Sequence, residues 1–262
     1  MSATIRSRSN ALLRRVGAVI AGKDADSLVL EGERLVEDAL RAGLALEAVL
    51  VAEPLAVLVE RWSGQATVRL VDERLLARTS TLETPPGVIA VCPRPSPANL
   101  VELPAGPRSL VLVAAGIGDP GNLGALARSA EAAGADALVV TRNSASPWST
   151  KALRGSMGSL LRLPCCHGVD PNEAAASFAA RGFRGVRAAT RGGAPPERMD
   201  WSGPLALWIG SETGALPAPA RSLEAVTIPC ALGVESLNVT VAASLLLFAA
   251  GRVTSEAVSG DD

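Results

Sequence analysis

From Leu28 onward, short apolar runs alternate with stretches in which apolar residues recur every three or four positions. Leu28-Val29-Leu30 reads as a strand, Gly32 to Ala42 as an amphipathic helix with Leu35, Val36, Ala39 and Leu40 inward, and Ala48 to Val51 as another strand. A helix over Pro54 to Arg61 and a strand over Thr67 to Val71 continue the alternation, which predicts a small α/β sandwich. Then the periodicity stops. Cys92 to Pro107 holds Pro93, Pro95, Pro97, Pro104, Gly106 and Pro107 and reads as an interdomain seam, because proline removes amide donors and keeps the chain extended. Beyond it, Leu110 to Ala114 is a continuous apolar run suited to a buried parallel strand, and further strands are read at Ala137 to Val140, Gly185 to Ala189, Leu205 to Ile209 and Ala225 to Ile228. Helices are predicted over Asn122 to Ala133, closed by Gly134, over Pro171 to Arg181 and over Leu237 to Gly251. This alternation predicts a mostly parallel sheet covered on both faces, with ligands gathering at the carboxyl ends of its strands. The expected division is residues 1–95, a linker over 96–107, a second domain over 108–256 and a tail over 257–262.

Composition narrows the function classes. In 262 residues, 48% are hydrophobic and 19% charged, which is globular rather than disordered. A net charge of -1 means that a nucleic-acid partner has to be held by local patches. Three Phe, four Trp and no Tyr argue against an aromatic platform for stacking bases. With His167 alone, no multi-histidine metal site is available, and that residue reads as surface or structural. Cys92, Cys165, Cys166 and Cys230 lack C-x-x-C spacing and read as reduced cysteines of a cytoplasmic protein that uses no metal. The longest apolar stretch, Val239 to Ala250, is well short of the ~20 residues that span a bilayer, and Met1 to Ser9 has no signal-like run behind it.

Three strand ends carry residues that packing does not require. Asp119-Pro120-Gly121-Asn122-Leu123-Gly124-Ala125-Leu126-Ala127-Arg128 leaves the first strand of the second domain and opens a helix, with Asn122 placed to cap it. Leu207-Trp208-Ile209-Gly210-Ser211-Glu212-Thr213-Gly214-Ala215-Leu216 runs from a strand into a loop whose glycines let a ligand approach the backbone. Ile228-Pro229-Cys230-Ala231-Leu232-Gly233-Val234-Glu235-Ser236-Leu237-Asn238-Val239 is a strand end, a loop and a helix start, where Ser236 and Asn238 also suit plain capping. No GxGxxG fingerprint follows the first strand, against an ordinary dinucleotide site. Near the N-terminus, Arg6, Arg8, Arg14 and Arg15 precede any acid, and Arg142 to Arg162, with Lys151 and Arg154, is acid-free. Each patch suits phosphates, or is simply a solvated basic surface.

In this order and spacing the three segments resemble the signature motifs of the SpoU (TrmH) family of RNA ribose 2'-O-methyltransferases, in the SPOUT superfamily. N-x-G-A-x-x-R followed by A-x-x-x-G-A-D matches Asn122 to Asp136, and I-P-x-x-G-x-x-x-S-L-N-V-x-V-A matches Ile228 to Ala242 except at its glycine, where Leu232 stands and Gly233 follows. The middle motif keeps Gly210, Glu212 and Leu216, while Thr213 and Ala215 stand where the family has glycines. Lys151 to Gly158 is similar to a weaker family element, so the resemblance covers about Arg108 to Arg252. Arg8 to Val16 with Leu30 to Val36 is similar to the substrate-binding domain, like ribosomal protein L30e, that precedes the catalytic domain in rRNA members.

The resemblance implies a trefoil-knotted α/β domain, an exception to the rule against threaded chains, and a homodimer whose active site binds S-adenosylmethionine. By position, Gly210, Ile228 and Leu237 meet the cofactor, and Arg128, Asn122, Glu212, Ser236 and Asn238 form the catalytic set. The family assigns proton removal to the arginine matching Arg128, yet a guanidinium is normally an obligate cation. Phosphate binding or stabilisation of a developing alkoxide fits it better. Asn122 is then expected to orient Arg128 or the ribose, and Glu212 to fix the loop. The implied substrate is RNA, and the length of the N-terminal domain favours 23S-type ribosomal RNA. A tRNA 2'-O-methyltransferase, an rRNA enzyme conferring antibiotic resistance and a non-catalytic RNA-binding assembly factor remain alternatives.

Overall fold

The computed structural model describes residues 4–211 and 216–251 and divides the chain into two compact units, 1–96 and 97–262. In chain order the first unit contains α1 (Ala11–Ile20), β1 (Ser27–Glu31), α2 (Glu33–Arg41), β2 (Ala48–Ala52), α3 (Leu58–Trp62), β3 (Thr67–Val71), α4 (Glu73–Ala77) and β4 (Val88–Pro93). Its sheet runs β1-β4-β2-β3, with β4 antiparallel to β1 and β2 and with β2 parallel to β3. Every residue of β1 and β2 is buried, as expected of strands covered on both faces. Val29, Leu50, Ile89 and Val91 pack beneath Leu13 and Val16 of α1 and Leu75 and Leu76 of α4.

Two expectations fail here for local reasons. The helix expected over Pro54 to Arg61 is a 3-10 turn at Glu53–Leu55 and then α3. Cys92 and Pro93, expected to open the seam, instead end β4, because Cys92 pairs with Leu28 and is buried while Pro93 closes the strand. The Arg94 amide then donates to the Asp26 carbonyl at 2.7 Å, and the Ala98 amide to the Cys165 carbonyl at 3.1 Å. Leu100 and Leu103 sink into the core of the second unit, where Arg181 donates to the carbonyls of both.

That unit continues with β5 (Leu110–Ala115), α5 (Pro120–Ala132), β6 (Ala137–Thr141), α6 (Thr150–Gly155), α7 (Ser159–Arg162), β7 (Cys165–Val169) and α8 (Pro171–Ala180). Then follow β8 (Arg184–Ala188), β9 (Leu205–Gly210), α9 (Ala218–Arg221), β10 (Glu224–Val226) and α10 (Val239–Ala249). All six strands are parallel, in the order β10-β8-β9-β5-β6-β7. From β5 the chain moves outward through β6 to β7, then crosses to β8 and returns to place β9 beside β5. The strand order therefore reverses between β5 and β9, the position at which such sheets open a crevice for ligands. Gly134, at φ 74°, ends the turn after α5 as expected.

Among the described residues no helix is long and apolar enough to cross a membrane, and no group of three or more His, Cys, Asp or Glu is placed to hold a metal. All four cysteines are free thiols, and burial pushes Cys92 and Cys165 up to about 12 and Cys166 to about 11.

Candidate active site

The loop after β5 enters α5 through Asp119, not Asn122. The Asp119 carboxylate accepts the Asn122 amide at 2.8 Å and Pro120 takes the first helical position, where its missing N–H costs nothing. Asn122 thus lies half-buried in the first turn. Lys151 donates to Asp119 at 2.6 Å, and this bond, with the Asn122 amide behind it, holds the Asp119 carboxyl below the usual carboxylate range. Six residues on, Arg128 stands exposed on α5, about 120° around the helix from Asn122 and about 9 Å along it. Its neighbour Ser129 meets Ser244 of α10, Oγ to Oγ, at 2.7 Å.

A cavity of about 700 Å³ opens at the carboxyl ends of β8, β9 and β10. Gly210, Ile228 and Leu237 line it together with Ser236, so the end of β9 and both ends of the loop between β10 and α10 meet at one site. Gly210 reaches it as the last residue of β9, in register with Ala115 of β5. Asn238 caps α10, accepting the Thr240 amide at 2.9 Å and the Val241 amide at 3.4 Å, while Ser236 is exposed. Asn122 and Arg128 do not line the cavity. Glu212, with Thr213, Gly214 and Ala215, lies outside the described residues. The sequence reasoning missed Arg187, Arg191 and Arg221, which also line the cavity; the usable signal was the position of Arg187 and Arg191 at the carboxyl end of a strand.

The basic residues divide by what already occupies them. Arg15 is bound to Glu47 at 2.7 and 2.8 Å, to Asp24 at 2.9 Å and to Ser27 at 3.0 Å, and the Glu47 carboxylate raises its pKa. Arg6 pairs with Glu53 at 2.6 Å. Arg8, Arg14 and Arg154 are exposed, and none of them has a carboxylate partner among the described residues.

Residues 109–248 match the SpoU rRNA Methylase family. The chain belongs to that family. Residues 23–90 match the MRM3-like substrate binding domain, which places a substrate-binding module ahead of the SpoU unit. The 23S rRNA (guanosine(2553)-2'-O)-methyltransferase RlmP of Bacillus subtilis is 32% identical over 85% of this chain and 88% of its own length. The SpoU methyltransferase AviRb of Streptomyces viridochromogenes, solved with S-adenosylmethionine, superposes with a TM-score of 0.81 at 28% identity, covering 96% of this chain and all of that one. An S-adenosylmethionine-bound rRNA methyltransferase from Sinorhizobium meliloti gives a TM-score of 0.83 at 26% identity, over 95% of this chain and 97% of that one. The similarity to these methyltransferases therefore extends over both units of the chain.

Proposed function

We propose that this SpoU protein transfers the methyl group of S-adenosylmethionine to a ribose 2'-hydroxyl of 23S-type ribosomal RNA, in the cytoplasm and as a homodimer. The observation that carries this reading is the meeting of Gly210, Ile228, Ser236 and Leu237 in one cavity at the carboxyl ends of β8, β9 and β10, in a chain that also matches a substrate-binding domain. Residues 1–95 would capture RNA and residues 108–256 carry the chemistry, joined through 96–107; the tail over 257–262 lies outside the described residues. Tritium transfer from labelled S-adenosylmethionine to ribosomal RNA fragments, followed by mapping of the modified ribose, tests it. Label on a 23S ribose is the expected result. Label on tRNA alone redirects the assignment, and none on any RNA leaves an assembly factor.

The cavity suits the cofactor. Its volume of about 700 Å³ lies within the roughly 300–1,000 Å³ of small-molecule sites, and Ile209, Val226, Ile228 and Leu237 give it an apolar wall. When bound, S-adenosylmethionine supplies a methyl already activated by its sulfonium. What remains for the chain is alignment of the ribose oxygen and an easier loss of its proton. Arg128 stabilises the developing alkoxide or holds the adjacent phosphate, and the proton leaves to phosphate or water. Asn122 orients the ribose or Arg128, Glu212 fixes the middle loop, and Ser236 and Asn238 hold the third loop and the nucleotide. Arg8, Arg14 and Arg154 are the readiest phosphate contacts, whereas Arg6 and Lys151 exchange a carboxylate partner for one, and Arg15 is held most firmly in its cluster. The same reading includes the trefoil knot of the family.

The homodimer rests on α10. Val239, Ala243, Leu246 and Leu247 are buried within the subunit, while Val241, Leu245 and Phe248 form a second apolar stripe that is 48%, 49% and 57% exposed. A helix apolar on both faces is covered on both. Sedimentation at micromolar concentration should give a dimer for the wild type and a monomer for Leu245→Asp/Phe248→Asp. A monomeric wild type would refute the assignment.

A further inference from the structure

The cavity's apolar wall leaves its charge unexplained. Arg187 at the end of β8, Arg191 in the following loop and Arg221 of α9 all line it, while Glu235 supplies the one carboxylate among its described lining residues. Arg187 is half-buried and donates its Nε to the Leu223 carbonyl at 3.2 Å; Arg221 donates its Nε to the Leu216 carbonyl at 2.8 Å. Each side chain is thus fixed through its inner edge, and no described carboxylate takes its terminal nitrogens. A guanidinium held in this way presents its remaining N–H groups as a preset fork, the shape that receives a carboxylate or phosphate in two parallel bonds. Clustered cations with so little counter-charge in a recess attract an anion.

We infer that Arg187 and Arg221 form an anion subsite for the carboxylate on the amino-acid end of S-adenosylmethionine, with Arg191 at its rim. This rests on the cofactor assignment above. The subsite shares one cavity with Gly210, Ile228 and Leu237, so a single small ligand can span the apolar wall and the cationic end. Glu235 offers the opposite charge to the ligand's cationic groups. A phosphate of the substrate RNA has the same anionic chemistry, but it would have to bring a polymer backbone into the recess that the cofactor occupies.

Calorimetry on the full-length protein separates these sources, using S-adenosylmethionine and its decarboxylated form, which keeps the sulfonium and ammonium and loses only the carboxylate. The wild type should prefer the carboxylated form by on the order of tenfold or more, as expected for charge-assisted hydrogen bonds. Arg221→Gln and Arg187→Gln should each remove much of that preference and leave affinity for the decarboxylated form unchanged. That second affinity also reports whether the Arg187 variant keeps its fold, and Arg221, being exposed, gives an independent reading. Equal wild-type affinity for both forms, or variants that weaken both alike, would overturn the subsite. Variants that lose RNA affinity and keep their cofactor preference would assign the arginines to phosphate and equally overturn it. A wild type that binds neither form overturns the cofactor assignment itself.

Discussion

Arg128→Ala should lower methyl transfer by about a hundred- to a thousandfold, the range seen when one preorganised group that stabilises transition-state charge is removed. Affinity for S-adenosylmethionine should stay as it is, because Arg128 lies on α5 outside the cavity that Gly210, Ile228 and Leu237 line. Arg128→Lys should retain measurable activity, since an ammonium keeps the charge and loses only the bidentate fork. The pH-rate profile decides between the two roles. A cation acting through its field leaves the apparent pKa in place when lysine replaces it and changes only the height of the curve. A general base exchanged for another displaces that pKa, and a displaced profile would return Arg128 to proton removal.

Gly124→Ala should damage the fold more than any other single methyl group added to α5. A Cβ on Gly124 would stand 2.3 Å from the Ala152 carbonyl oxygen, 2.8 Å from the Ser156 nitrogen and 3.0 Å from the Gly155 carbonyl carbon. All three are backbone atoms, so no side chain can swing aside. The helices must part instead, which costs about 3 kcal/mol for an overpacked contact of this kind. In a unit of this size that lowers the melting temperature by on the order of 10 °C, as a thermal scan followed by circular dichroism would show. Asn122 and Arg128 flank Gly124 on the same helix, so activity should fall before the protein unfolds. A variant that melts with the wild type would mean that α5 and α6 are not packed this closely.

The parts of the fold legible in the sequence were those where burial is uniform. Leu110 to Ala114 and Ala137 to Val140 read as parallel strands because each is covered on both faces, and β5 and β6 match them to within a residue at the carboxyl end. The edge strand β7 was missed. Cys165 and Cys166 are buried while His167 and Gly168 face solvent, and five residues with so short an apolar run carry no period. The strand β4 was missed as a whole: no strand was read between Val71 and the seam, and the prolines from Pro93 onward drew Cys92 and Pro93 into that seam. At α5 the capping signal was present and assigned to the wrong residue, since Asp before Pro is itself a helix start and Asn122 stands one turn too late. The grouping of Gly210, Ile228 and Leu237, which line one cavity, was legible through motif spacing, as glycine at a strand end and the residues flanking a loop. The cavity arginines were less so: Arg187 and Arg191 follow a strand as many exposed arginines do, and Arg221 stands in the short helix α9, so only the strand order brings them to one cavity.

Two backbone hydrogen bonds bracket the proline-rich seam. With Arg94 tied to Asp26 and Ala98 tied to Cys165, only Pro95, Ser96 and Pro97 lie between anchored positions. Four peptide steps reach at most about 14 Å at full extension. With RNA captured by the first unit, as proposed above, a tether this short would give a high effective concentration at the second, in the millimolar range for short connections. On that reading the second unit needs only weak contacts of its own with the RNA. Lengthening the tether would dilute that advantage without touching a single contact.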